Sequence, residues 1–178
     1  MSDEVPAPPF TVAEVDVEVV RPLRHRHLRP DQPEDAVAYQ SDDCPTCRHF
    51  AATDAEGVII GVSTSHHADR VAGQAPFGTP GLRIRGMAVE DTWRGKGVGA
   101  ALIEAMVDAG VEEGLAEVWA NARTAARGLY TRAGFKEVSQ EFDLPTIGEH
   151  IVVAMNISKR VKKARKAQTP DEPAEGEA

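Results

Sequence analysis

From Val98 onward, apolar side chains return at offsets of 0, 3, 4, 7, 8 and 11: Val98, Ala101, Leu102, Ala105, Met106 and Ala109. That is the period of a helix with one buried face, and Glu104, Asp108 and Glu112 fall on the other face. Gly114 supplies a stop. Elsewhere the pattern shortens. Val15, Val17 and Val19 alternate with Asp16 and Glu18, which predicts a first strand. Residues 48–53 and 58–64 are rich in small and β-branched side chains, and Asp54-Ala55-Glu56-Gly57 between them predicts a hairpin. Residues 82–89 read as a strand interrupted at Gly86, where a bulge is expected. Glu117 to Ala120 predicts a short strand. Thr124 to Ala133 predicts a second helix, with Thr124 as its N-cap and Gly134 as its stop. Phe135 to Phe142 and Ile151 to Ile157 predict the closing strands.

The intervening stretches are less periodic. Arg21 to Leu28 predicts a short helix stopped near Pro30, and Asp31 to Pro45 a loop. Residues 66–81 hold Gly73, Pro76, Gly78, Pro80 and Gly81 and read as a loop. Residues 1–10 are polar and Pro-rich, and are expected to be disordered. The domain is then 11–158, and 159–178 a disordered charged tail. Strands interleaved with helices and a hairpin predict a mixed α/β sheet rather than a regular doubly wound one.

Composition adds boundaries. With 178 residues the chain suits one domain. Net charge is −8, and the six basic and four acidic side chains after Ser158 leave about −10 on the body. An acidic body disfavours nucleic acid as a partner and favours a cationic substrate. No apolar run approaches a membrane span of ~18 residues, and the acidic N-terminus is unlike a secretion signal. Cytoplasmic localisation without a membrane partner is therefore expected.

Chemistry concentrates at Arg94-Gly95-Lys96-Gly97-Val98-Gly99, immediately before the best helix. A glycine-rich turn feeding a helix N-terminus suits a phosphate or pyrophosphate. A P-loop needs Gly-x-x-x-x-Gly-Lys-Ser/Thr, which is absent. A dinucleotide fingerprint needs Gly-x-Gly-x-x-Gly, and the spacing here is wrong for it. The pattern Arg/Gln-x-x-Gly-x-Gly/Ala of coenzyme A loops fits without a gap.

From Leu82 to Lys136 the chain resembles the GNAT superfamily of acyl-CoA-dependent N-acyltransferases. Met87-Ala88-Val89 stands where that family has the strand entering the loop. Trp93 to Gly99 resembles its pyrophosphate loop, and Ala126-x-x-Leu129-Tyr130-x-x-x-Gly134-Phe135 its second signature. The resemblance implies a strongly twisted, mostly antiparallel sheet flanked by helices and splayed at the coenzyme A site. It implies acetyl-CoA as co-substrate and no metal. Coenzyme contacts would come from Met87, Val89, Arg94, Gly95, Lys96, Gly97, Val98, Gly99 and Ala100. Many members carry Asn seven residues before the tyrosine. Here Arg123 stands there and Asn121 lies two residues earlier, so Asn121 is the substitute candidate. Residues 142–150 resemble a small group of stand-alone bacterial acetyltransferases. The family often pairs through its late strands, which is compatible with a homodimer.

The implied reaction is acetyl transfer to a primary amine of a small molecule or peptide, by direct attack within a ternary complex. The alternative is a catalytically silent acyl-CoA sensor. A thiol has a pKa of about 8.5 and a phenol about 10, so a tyrosine can protonate the departing thiolate. Tyr130 is the candidate, unless it is simply a packed side chain with a satisfied hydroxyl. Glu90, Glu141 and His150 are candidate bases or substrate contacts, and a carboxylate acting through water is another route. Arg24, His49 and Asn121 are further candidates to face the pocket. Cys44-Pro45-Thr46-Cys47 has half the spacing of a zinc site, with His49, His66 and His67 as further candidate ligands. Two reduced loop thiols are the simpler reading.

Overall fold

The computed structural model describes residues 9–70 and 80–168. The expected disorder at 1–8, most of the expected 66–81 loop and the last ten residues lie outside them. Among the described residues eight strands form one sheet: β1 (Phe10–Val15), β2 (Arg48–Asp54), β3 (Ile59–His67), β4 (Gly81–Val89), β5 (Glu117–Arg123), β6 (Lys136–Glu137), β7 (Phe142–Leu144) and β8 (Gly148–Asn156). Their order is β1-β2-β3-β4-β5-β8-β6, with β7 also on β8. Among the described residues only β4 and β5 run parallel; the other pairs are antiparallel.

Helix α1 (Val17–Leu28) covers one face through Val20 and Leu23, packed on Ala51, Val62 and Ala88. Helix α2 (Val98–Glu112) lies on the other face. Its Val98, Leu102, Ile103, Met106 and Val107 are buried against Ile60, Leu82, Ile84 and Val118. The spacing of that apolar stripe is the reason this segment is helical and lies flat on the sheet. Gly114, at φ +71°, ends α2, with Leu115 N–H returning to Gly110 O at 3.0 Å. The hairpin forms as read: Asp54 Oδ1 accepts from the N–H groups of Glu56 and Val58, and Gly57 sits at φ +82°.

Four expectations are corrected. Val17 and Val19 lie in α1, not in a strand; the first strand is β1, which begins at Phe10 inside the segment read as disordered. Residues 158–168 form helix α4, packed on α2 through buried Val161 and tied by Arg160 Nη1 to Glu104 at 2.7 Å. That part of the tail is structured. Of the strand expected at 135–142, only β6 (two residues) and Phe142, the first residue of three-residue β7, are in strands. Helix α3 (Arg127–Arg132) follows a 3-10 turn at Thr124–Ala126, and no capping bond from Thr124 is formed. No helix among the described residues is long and apolar enough to cross a membrane.

Candidate active site

Pairing between β4 and β5 stops halfway. Gly81 to Ile84 pair with Glu117 to Ala120, but β4 continues to Val89 and β5 to Arg123 without further partners between them. The sheet is therefore open along Arg85–Val89. A bulge helps open it: Val62 faces Ala88 and Thr64 faces Arg85, so Gly86 and Met87 together oppose Ser63. Gly86 has φ +61°, and a Cβ there would lie 2.8 Å from Arg24 Nε and 3.0 Å from Tyr39. Conformation and space both select glycine. Glu90 N–H bonds to Ile60 O on the β3 side, so alternation along the strand turns the N–H of Val89 toward the gap.

Beyond β4 the chain makes a 3-10 turn at Asp91–Trp93 and enters the glycine loop. Gly95 and Gly97 have φ of +75° and +89°. Gly97 is the N-cap of α2 and offers no side-chain cap. The first helical bond is Ala101 N–H to Gly97 O. The N–H groups of Val98, Gly99 and Ala100 precede it and are the free donors of the helix start. Gly99 is selected differently: a Cβ there would press on Leu129 of α3 at 3.1 Å. The side chains of Arg94 and Lys96 stay at the surface. Arg94 pairs with Asp91 at 2.8 Å, and Lys96 sits over the Trp93 ring at 5.2 Å.

A cleft of about 210 Å³ occupies the β4–β5 gap, enough for a small organic group. Met87, Asn121, Tyr130 and His150 line it. Tyr130 reaches it from α3, braced edge-on by Phe135 at 5.3 Å. The ring is 4% exposed, and burial pushes its phenol above the ordinary range, so it stays protonated. Among the described residues its hydroxyl has no hydrogen-bond partner. The family model for the acetyltransferase (GNAT) family matches residues 14–135.

The chain belongs to the GNAT acetyltransferase family.

A curated relative, uncharacterized N-acetyltransferase YitI of Bacillus subtilis (strain 168), is 32% identical over 143 residues, 80% of this chain and 93% of that protein. Among solved structures, FeeM, an N-acyl amino acid synthase from uncultured soil microbes, matches with TM-score 0.67 at 14% identity, covering 92% of this chain and 97% of its own. The GNAT-family N-acetyltransferase YhbS of Escherichia coli, solved in complex with CoA, matches with TM-score 0.63 at 21% identity, over 88% and 86% of the two chains. These likenesses establish the GNAT fold; acyltransferase activity in general follows from the family.

Within this GNAT frame the remaining candidates separate. His150 lies in the cleft, 5% exposed. Its Nδ1 is 2.7 Å from Gly148 O, which can only accept. Nδ1 therefore carries the proton in the neutral ring and Nε2 keeps its lone pair. Asn121 is in the cleft with a buried, unpartnered Oδ1. Arg123, where many members carry Asn, also lines it. Glu90 is drawn away: His27 Nε2 lies 2.9 Å from one carboxylate oxygen, and Arg26 bonds the other. Glu141 is exposed and pairs with Arg127. Arg24 is fully buried behind the bulge. It donates to Val37 O and Asp42 Oδ2 at 2.8 Å each and to Thr64 Oγ1 at 2.5 Å. It shapes the site without facing it.

The cysteine motif is brought together with one of its expected histidines. Asp42, Cys47 and His49 place one ligand atom each within 4.8 Å of one another. His49 is already engaged, with Nδ1 2.8 Å from Thr64 Oγ1 and Nε2 3.2 Å from Asp42 O. His67 instead bonds Glu113, at the surface. Both thiols are free, and burial, with Cys44 and Asp42 adding, pushes Cys47 up to about 12.

The acidic body proves a poor guide to the cleft. Among the described residues four arginines line it (Arg29, Arg83, Arg85 and Arg123), and no carboxylate does. Sequence reasoning missed Tyr39 and these arginines. The Arg-x-Arg alternation at 83–85 ahead of Gly86 was the signal available.

Proposed function

We propose that the chain transfers an acetyl group from acetyl-CoA to a primary amine by direct attack in a ternary complex. The observation that carries this reading is the end of β4–β5 pairing at Ile84 and Ala120, with the glycine loop at one end of the gap and Tyr130 lining it. The pantetheine arm is amide-rich, and the open edge at Met87 and Val89 offers it strand-like partners. The pyrophosphate takes the N–H groups of Gly95 and of Gly97 to Ala100, with Arg94 and Lys96 flanking; the Lys96 N–H itself is spent on Trp93 O. Asn121 offers its side-chain amide to the cofactor from β5.

In the reaction the amine nitrogen bonds to the thioester carbon, and the oxyanion that develops meets the N–H of Val89. His150 Nε2 takes the amine proton. As the carbon–sulfur bond breaks, Tyr130 gives its proton to the departing thiolate; the tyrosinate is then reprotonated from the solvent side, and His150 releases to solvent the proton it took. Products are the N-acetyl amine and coenzyme A.

Thiol release from acetyl-CoA across an amine panel tests this, with product mass as the second readout. Tyr130→Phe should lower kcat about 10²–10⁴-fold and leave coenzyme affinity within about twofold. Undiminished kcat in that variant removes Tyr130 from the mechanism.

A further inference from the structure

The cleft carries a charge opposite to that of the whole chain. Several arginines outside the cleft are neutralised: Arg24 by Asp42, Arg26 by Glu90, Arg94 by Asp91, Arg127 by Glu137 and Glu141. Among the described residues, none of the four cleft arginines makes an ion pair. Asp42, whose charge reaches Arg85, is committed to Arg24 and to the Tyr39 N–H at 3.1 Å.

Arg83 and Arg85 project from the same side of β4, two residues apart. Arg83 lies over the Trp119 ring at 5.0 Å, and its Nε is buried without a partner. Arg85 lies over Tyr39 at 3.9 Å and donates to Ser41 Oγ at 3.0 Å. The aromatic rings fix both guanidinium planes. Burial pulls Arg83 below the ordinary arginine range, and Arg85 adds to it; burial lowers Arg85 as well. His66, opposite Arg83 in the ladder, is pushed down to about 4 by burial and then by Arg85 and Arg83, so it adds no charge at neutral pH. The guanidiniums remain protonated. Two forks of positive charge thus stand in a partly dry cleft without an ion-pair partner of their own.

The coenzyme phosphates do not account for them. Arg83 sits where β4 and β5 are still paired, and Arg85 just past the last pair. The glycine loop lies beyond Val89, four residues or about 13 Å of extended strand from Arg85. We infer that the acceptor is a primary amine that also carries an anionic oxyacid group, a carboxylate or a phosphate, gripped by Arg83 and Arg85 while its amine faces His150. This inference rests on the acetyl-transfer reading.

The test uses the coenzyme A-loaded full chain, titrated calorimetrically with L-glutamate, O-phosphoethanolamine and putrescine; the same amines are run with acetyl-CoA in the thiol-release assay. At least one anionic amine should bind about tenfold or more tighter than putrescine. Arg83→Gln and Arg85→Gln should each weaken that binding about tenfold or more with coenzyme affinity unchanged, which also reports that the variants are folded. A preference for glutamate marks a carboxylate acceptor, and a preference for phosphoethanolamine a phosphate. Tightest binding of putrescine overturns the inference, as does anionic binding indifferent to both arginines. So does a loss of coenzyme affinity in the arginine variants, which assigns them to the cofactor. Failure of the transfer reading looks different: arginine-dependent binding of an anionic amine with no thiol release.

Discussion

Replacing Asp42 by alanine strikes the pair that supports the bulge. Arg24 and Asp42 are both fully buried at their side chains and meet at 2.8 Å. Asp42 also accepts the Tyr39 N–H, and Arg24 spans from Val37 O to Thr64. Without Asp42 the guanidinium keeps two neutral acceptors and no counter-charge, a loss of about 3–5 kcal/mol. A domain of this kind has roughly 5–15 kcal/mol in all, so the variant should stay folded but unfold roughly 6–20 °C lower. Urea and thermal unfolding measure this. Arg24→Met/Asp42→Leu, which removes both charges, should recover most of the loss, giving a large coupling energy in the double-mutant cycle. If Asp42→Ala costs less than about 1 kcal/mol, or the double variant is no better than the single one, the pair is not what holds Tyr39 and Gly86 together. The site would feel the change too, because Arg24 Nε is the nearest atom to the space a side chain at 86 would fill.

Gly86→Ala should cost about 1–3 kcal/mol from backbone strain and further from the Arg24 contact, and should raise the KM for acetyl-CoA; unfolding and steady-state kinetics read both. Gly97→Ala meets no atom within 4 Å, so its cost is the strain at φ +89°, about 1–2 kcal/mol, and coenzyme affinity should fall while amine affinity does not. His150→Gln should lower kcat about 10²–10⁴-fold with coenzyme binding intact, and an unchanged kcat would return the base to another group.

The legible parts of the chain were those whose pattern came from one physical cause. The α2 stripe, the Asp54–Gly57 turn, the bulge at Gly86 and the stop at Gly134 each follow from periodicity or from a residue that alone fits a backbone. Helix α1 was obscured because its inward positions are Val20, Leu23 and Arg24. A buried arginine breaks the hydropathy stripe, and its partner Asp42 lies 18 residues on in a stretch without periodicity. Helix α4 was hidden likewise: one buried Val161 among lysines and arginines gives almost no apolar face. At the site, the loop and Tyr130 announce themselves by spacing. The separation of Glu90, Glu141 and His150 depends on which neighbours reach them, and only the folded chain sets that. The sign of the cleft was missed for the same reason: net charge sums exposed carboxylates on the outside with arginines turned inward.

In the proposed reaction the β4–β5 gap holds acetyl-CoA with its thioester beside Tyr130. A crystal structure of the complex tests it most directly. The pyrophosphate should lie on the N–H groups of Gly95 and of Gly97 to Ala100, the pantetheine should pair with Met87 and Val89, and the sulfur should fall within hydrogen-bonding reach of the Tyr130 hydroxyl. Coenzyme bound elsewhere, or a sulfur remote from Tyr130, contradicts it.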